Sequence, residues 1–297
     1  MTGATRHAPM PVIVGSPRSG TTLLRLMIDA HPEIASPPET GFLDLGPELI
    51  EGPAGPRENF LHRLTHYPAD APNWPDFHLD AEALRAAVAA IEPFDLSEAL
   101  RAFYRLYAAR FGKSRWGEKT PMYCLRMDVI EQVLPEARFI HVVRDGRDVA
   151  VSLREQWFSP GHDIAIQADY WRSNVLTAHR LGASRRHYME VRYEDLIHDT
   201  QAELRRVSGF LGVGYHDCML DYHRNACARL AEHHGRHRLD GSVVVSEERR
   251  RQQQAHAVLP PNPARIGLWK DAFSSEEKRR FLEIAGDALA QFGYAPD

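Results

Sequence analysis

Near its start the chain reads Gly15-Ser16-Pro17-Arg18-Ser19-Gly20-Thr21-Thr22, two glycines at phosphate-loop spacing, with Thr21 where a nucleotide triphosphatase carries its lysine. The preceding Pro11-Val12-Ile13-Val14 is short, apolar and β-branched, and the following Leu23-Leu24-Arg25-Leu26-Met27-Ile28 places apolar residues at helical spacing. The loop therefore joins a strand to a helix. At such a junction the orphan N–H groups of the first helical turn and the positive end of the helix dipole converge on one anion. Without a lysine to reach on to β and γ phosphates, the loop suits a shorter phosphate chain than that of ATP. An ordinary βα turn uses the same residue types, but the agreement of strand, loop and helix, with the charge of Arg18 at the tip, favours the phosphate site.

At 297 residues the chain can bury one substantial core, and a single domain over 1–297 is expected. Hydrophobic residues at 43% and charged residues at 26% are ordinary for a soluble globular protein. The formal net charge of −4 provides no overall basic field for nucleic acid or an anionic membrane, so binding must be local. The opening Met1-Thr2-Gly3-Ala4-Thr5-Arg6-His7 lacks the apolar core of a secretion signal, and no run approaches the roughly 20 apolar residues of a membrane span. A cytoplasmic location with no membrane span is expected. Cys124, Cys218 and Cys227 form no Cys-x-x-Cys pair and indicate neither a disulfide framework nor a thiolate zinc site. His233, His234 and His237 have a spacing open to metal, but Arg236 and Arg238 interleave them, which favours a solvated basic segment.

Strand-like runs at 12–15, 138–143 and 187–193 are separated by segments of helical pattern. That alternation implies an α/β fold: a phosphate-loop-like, mainly parallel sheet flanked by helices, with helical insertions. His141, inside an apolar run, reads as a core histidine. A Pro-rich stretch at 52–75 and helices over 80–91 and 96–110 make an insertion of about 43–112. Residues 240–264, polar and then Pro-rich, read as a long loop or lid. Ser274 and Glu277 form a capping box for a final helix ending near Phe292-Gly293.

With these segments in place, Pro17-Arg18-Ser19-Gly20-Thr21-Thr22-Leu23 resembles the 5′-phosphosulfate loop of sulfotransferases that use 3′-phosphoadenosine-5′-phosphosulfate. Arg144-Asp145-Gly146-Arg147-Asp148 followed by Ser152 resembles the family's 3′-phosphate motif, an arginine ending a strand and a serine on the next helix. The competing reading of Arg144 is an ion pair with Asp145 or Asp148. Asp29-Ala30-His31-Pro32-Glu33 and Pro38-Glu39-Thr40 are similar to the protein-tyrosine sulfotransferase branch and its bacterial relatives. The resemblance assigns Glu39 as catalytic base, an assignment that asks for an enclosed site raising its pKa toward neutral. Lys119 in Gly117-Glu118-Lys119-Thr120-Pro121 matches the family's catalytic lysine, against a surface-turn reading, and Glu118 would orient it through a salt bridge. Tyr193 matches a residue near the adenine, while Arg265 and Lys270 match a late basic segment that closes over the nucleotide. Where protein-tyrosine sulfotransferases carry a second nucleotide arginine, this chain has Gln156.

The resemblance, which spans roughly residues 11–293 through five short motifs, implies sulfuryl transfer from 3′-phosphoadenosine-5′-phosphosulfate to a hydroxyl or amine, leaving 3′-phosphoadenosine-5′-phosphate. Glu39 would be the base and Arg18 and Lys119 the electrostatic stabilisers, with no metal required. Pro17, Arg18, Ser19, Gly20, Thr21 and Thr22 would hold the 5′-phosphate, and Arg144 and Ser152 the 3′-phosphate. The acceptor is a small molecule, carbohydrate, lipid or peptide, and the oligomeric state is open. An ATP-dependent kinase or hydrolase, or a nucleotide-binding protein without catalysis, stands as the alternative; the missing loop lysine argues against the first.

Overall fold

A computed structural model describes residues 7–296. Its centre is a four-stranded, wholly parallel sheet of β1 (Met10–Val14), β2 (Glu118–Lys119), β3 (Ala137–Val143) and β4 (Tyr188–Arg192), in the order β2-β1-β3-β4. Alternation along β1 and β3 sends side chains to opposite faces. Val12, Val14 and Phe139 join a core with the helix Leu96–Ala109, whereas Ile13, Ile140 and Val142 join another with Leu24, Met27 and Ile28 of α1 (Thr21–Asp29). Both faces are covered, so β1 and β3 read as continuous apolar runs. A third core packs Trp171 of the helix Ile164–Gly182 against Phe281 of the helix Ser275–Gln291.

Because every strand of this sheet runs the same way, its carboxyl edge gathers residues far apart in the chain. β1 leads into Gly15, β2 into Thr120, β3 into Arg144 and β4 into Tyr193. That edge, where chain connections diverge to either side of β1, is where open parallel sheets bind ligands.

The expected capping box is present, Ser274 Oγ accepting from the Glu277 N–H and the Glu277 carboxylate from the Ser274 N–H. Helices Ala81–Ala89 and Leu96–Ala109 also form, capped by Asp80 and Asp95. His141 is fully buried and shares a hydrogen bond of 2.7 Å with the Tyr188 hydroxyl, as a core residue. Three details go beyond the sequence reading. The Pro-rich stretch contains a helix, Pro56–Thr65, because Pro56 stands at its first position, where a missing N–H costs nothing. Residues 240–264 are more regular than a loop, with strand Val243–Val245 pairing antiparallel to Arg236–His237 and helix Glu247–Gln253 following. Glu118-Lys119 is a sheet strand and no surface turn, two charged residues that period-2 patterning does not mark. Among the described residues no helix is long and apolar enough to cross a membrane.

Candidate active site

A cavity of about 430 Å³ opens at the carboxyl edge of the sheet. Its floor is the loop between β1 and α1. Gly20 has φ 98°, and a Cβ there would meet Tyr193 Cδ2 at 2.5 Å, so both backbone shape and space demand glycine. Arg18 is held at φ 72°, a left-handed geometry uncommon for a residue with a Cβ. Among the described residues no side chain caps α1, and the hydroxyls of Ser16 and Ser19 are buried without a partner. The first-turn donors of α1 are thus left without a capping side chain at the cavity floor, the condition for an anion site at a helix N-terminus.

Arginines crowd one end of the cavity. From the end of β3, Arg144 donates to the carbonyls of Arg18 (3.2 Å) and Arg265 (2.7 Å), and its guanidinium lies 4.5 Å from the centre of the Tyr193 ring. Its buried Nε has no hydrogen-bond partner among the described residues. Arg18 Nε donates to Ser152 Oγ at 2.9 Å, and Arg18 Nη1 to the Gln253 carbonyl at 3.1 Å. Ser152 reaches this point from the second turn of the helix Gly146–Leu153. Burial, then the nearby charges of Arg144 and Arg265, lower the Arg18 pKa to about 10. The ion-pair reading of Arg144 holds only weakly: Asp145 pairs with Arg147, and Asp148 lies 3.8 Å from Arg144 while accepting from the N–H groups of Gly267 and Trp269.

Beside this cluster lies a second group. Lys119, 2% exposed, ion-pairs with Glu39 and donates to Thr22 Oγ1 at 3.2 Å. Burial works to raise the Glu39 carboxyl, but the charge and hydrogen bond of Lys119, with Arg236 and Arg250 beyond, outweigh it and hold the pKa below the ordinary value. The expected rise toward neutral is therefore reversed, because the intended catalytic partners are paired with each other. Burial raises the neighbouring Glu118 instead, to about 7. It forms no salt bridge with Lys119; its oxygens accept from the hydroxyls of Tyr104 and Thr120, both at 2.8 Å.

The chain from 233 to 257 builds the third wall, which sequence reading did not assign to the site. His233, Arg236, Arg250 and Gln253 line the cavity, so the basic segment is solvated only in part, at the exposed His237 and Arg238. The signal was available in its arginines and histidines, but a hairpin and a seven-residue helix without an apolar face gave no reason to fold it inward. Among the described residues no group of three or more His, Cys, Asp or Glu side chains is placed to hold a metal. Pro17, Gly20, Thr21, Thr22, Tyr193 and Arg265 line the cavity. Lys270 does not: it is exposed, on the short helix Trp269–Ala272, with its ammonium 6.0 Å from the Trp269 ring centre. Gln156 donates to the Ser152 carbonyl at 3.3 Å and stays off the cavity wall.

A model of the sulfotransferase family matches residues 9–217, more than half of the chain. The chain belongs to the sulfotransferase family. It is 26% identical over 317 residues to nodulation protein NoeE of Sinorhizobium fredii, covering 97% of this chain and 67% of NoeE. It is 26% identical over 301 residues to the protein-tyrosine sulfotransferase of Drosophila melanogaster, covering 98% of this chain and 52% of that protein. The chain thus spans about half the length of the fly relative. The sulfotransferase domain of the Synechococcus PCC 7002 olefin synthase superposes with a TM-score of 0.58 at 25% identity, covering 98% of both chains. The sulfotransferase domain of the curacin biosynthetic pathway shares the fold at a TM-score of 0.57 and 17% identity, covering 98% of this chain and 99% of that one.

Proposed function

We propose that this sulfotransferase moves the sulfuryl group of 3′-phosphoadenosine-5′-phosphosulfate to a hydroxyl or amine acceptor. The observation that carries the reading is the crowding of Arg18, Arg144 and Arg265 at one end of the cavity, beside a phosphate-type loop. Asp148 is the one carboxylate bridged to any of the three among the described residues, and its oxygens are already spent on backbone donors. A cation cluster short of acids asks for a second phosphate in addition to the one the loop can take. The orphan Nε of Arg144 and the orphan hydroxyls of Ser16 and Ser19 fit such a ligand.

When bound, the nucleotide supplies the sulfuryl group, its sulfur–oxygen bond to the 5′-phosphate breaking as the acceptor oxygen attacks sulfur. Thr21, Thr22 and the N–H groups from Ser19 onward hold the 5′-phosphate, and Arg144 and Ser152 the 3′-phosphate. Tyr193 keeps Gly20 and Arg144 in place and borders the adenine. Lys119 leaves Glu39 to stabilise charge growing on the 5′-phosphate oxygen, with Arg18 aiding once the nucleotide displaces it from Ser152. Freed of its ion pair, Glu39 becomes a stronger base and takes the acceptor proton. The segment 240–264 closes over the nucleotide, Arg18 tying it to the loop through the Gln253 carbonyl. Transfer of labelled sulfate from the donor across a panel of hydroxyl compounds tests the reading, and absence of bisphosphate binding would end it.

A further inference from the structure

The cations on the acceptor side of the cavity do not pair evenly. Lys119 pairs with Glu39, and Arg250 grips Asp76 with two bonds of 2.8 and 3.0 Å while donating to the His234 carbonyl. The side chain of Arg236, half-buried in the same wall, makes no hydrogen bond or ion pair among the described residues. Glu39, Asp76 and Asp70 act on it only through space, and Arg250 repels it. A guanidinium taken partly out of water without a partner is costly unless something binds it. The donor's phosphates already have Arg18, Arg144 and Arg265.

His233 adds a second feature. Its Nδ1 lies 3.0 Å from the Leu230 carbonyl, so Nδ1 carries the hydrogen and Nε2 keeps its lone pair, with no partner among the described residues. Burial, then Arg250, Arg25 and Lys119, hold the imidazole neutral, its pKa well below the ordinary value. The wall beside Glu39 therefore offers a neutral hydrogen-bond acceptor and an unpaired cation together.

Resting on the sulfuryl-transfer reading, we infer that the acceptor is a hydroxy acid: Arg236 binds its carboxylate, and His233 accepts a hydrogen bond from one of its hydroxyls. A phosphate in place of the carboxylate presents the same oxyanion chemistry, and paired acceptors separate the two.

The experiment has two steps. Titration with 3′-phosphoadenosine-5′-phosphate first establishes the donor site; its failure would sink the sulfuryl-transfer reading and not the acceptor assignment alone. Labelled sulfate transfer is then measured on hydroxyl compounds supplied in threes, such as 4-hydroxyphenylacetate, its neutral amide and its phosphonate analogue. The carboxylates are expected to turn over with a KM roughly 10- to 100-fold below their amides, the usual worth of a charged hydrogen bond. Arg236→Gln should erase that difference while leaving bisphosphate affinity unchanged, and Arg236→Lys should retain part of it. Preference for the phosphonates would assign phosphate as the oxyanion and overturn the carboxylate. Equal turnover of neutral members, no turnover of any anionic member, or loss of bisphosphate binding in Arg236→Gln would each overturn the inference.

Discussion

Glu39 and Lys119, 80 residues apart, are ion-paired inside the cavity, with the lysine almost fully buried and the carboxylate facing the open space. The pairing holds Glu39 in its charged form, while burial still leaves the Lys119 pKa below its ordinary value. Glu39→Gln is expected to reduce turnover by roughly 10²- to 10⁴-fold, the range for a lost general base. Bisphosphate affinity should stay within a few fold. Steady-state kinetics and titration on the same preparation check this, and unchanged turnover would remove Glu39 from the base role.

Arg144 presents its guanidinium between the Arg18 and Arg265 carbonyls, with an unused Nε. Arg144→Ala should weaken 3′-phosphoadenosine-5′-phosphate by roughly 10- to 100-fold. Adenosine 5′-monophosphate, which lacks the 3′-phosphate, should lose much less. An equal loss for both nucleotides would place Arg144 elsewhere on the ligand.

At Gly20 an added methyl meets the Tyr193 ring at 2.5 Å and must adopt φ 98°. Gly20→Ala is expected to cost about 1–3 kcal/mol through strain and overpacking. For a protein of this size that lowers Tm by several degrees, at about 2–4 °C per kcal/mol. Nucleotide binding should weaken as well, because Tyr193 also supports Arg144.

Glu118 yields a pH signature. Burial raises its folded-state pKa to about 7, against an ordinary value of 4.5. Between those values the folded protein binds the proton more tightly than the unfolded chain, so this group's contribution to stability falls as pH rises from about 4.5 to 7. Glu118→Gln should flatten that part of the stability curve and lessen the disadvantage at pH 8. Denaturant unfolding across pH 5–8 measures it; an unaltered slope would show that Glu118 is ionised throughout.

The sequence made the sheet, the glycine-rich loop and the placing of Arg144 and Ser152 at the cavity legible because each depends on local patterning: β-branched runs, glycines where φ turns positive, an arginine directly after a strand. Glu39 and Lys119 were legible through motif resemblance, but not their mutual ion pair, which joins segments 80 residues apart. The reversed Glu39 shift follows from that pairing. Arg236 and His233 stayed hidden because their segment has little apolar periodicity and owes its inward position to long-range bonds, chiefly Arg250 to Asp76 across 174 residues. Lys270 shows the converse: proximity in sequence to Arg265 does not bring both to the cavity, since the short helix at Trp269 turns the lysine outward.

Titration of the purified protein with 3′-phosphoadenosine-5′-phosphate, set against ATP with magnesium, tests the central claim most directly. Micromolar binding of the bisphosphate, with ATP much weaker, is the expected result. Tighter binding of ATP would contradict the assignment of the arginine cluster to a 3′-phosphate and, with it, the sulfuryl donor.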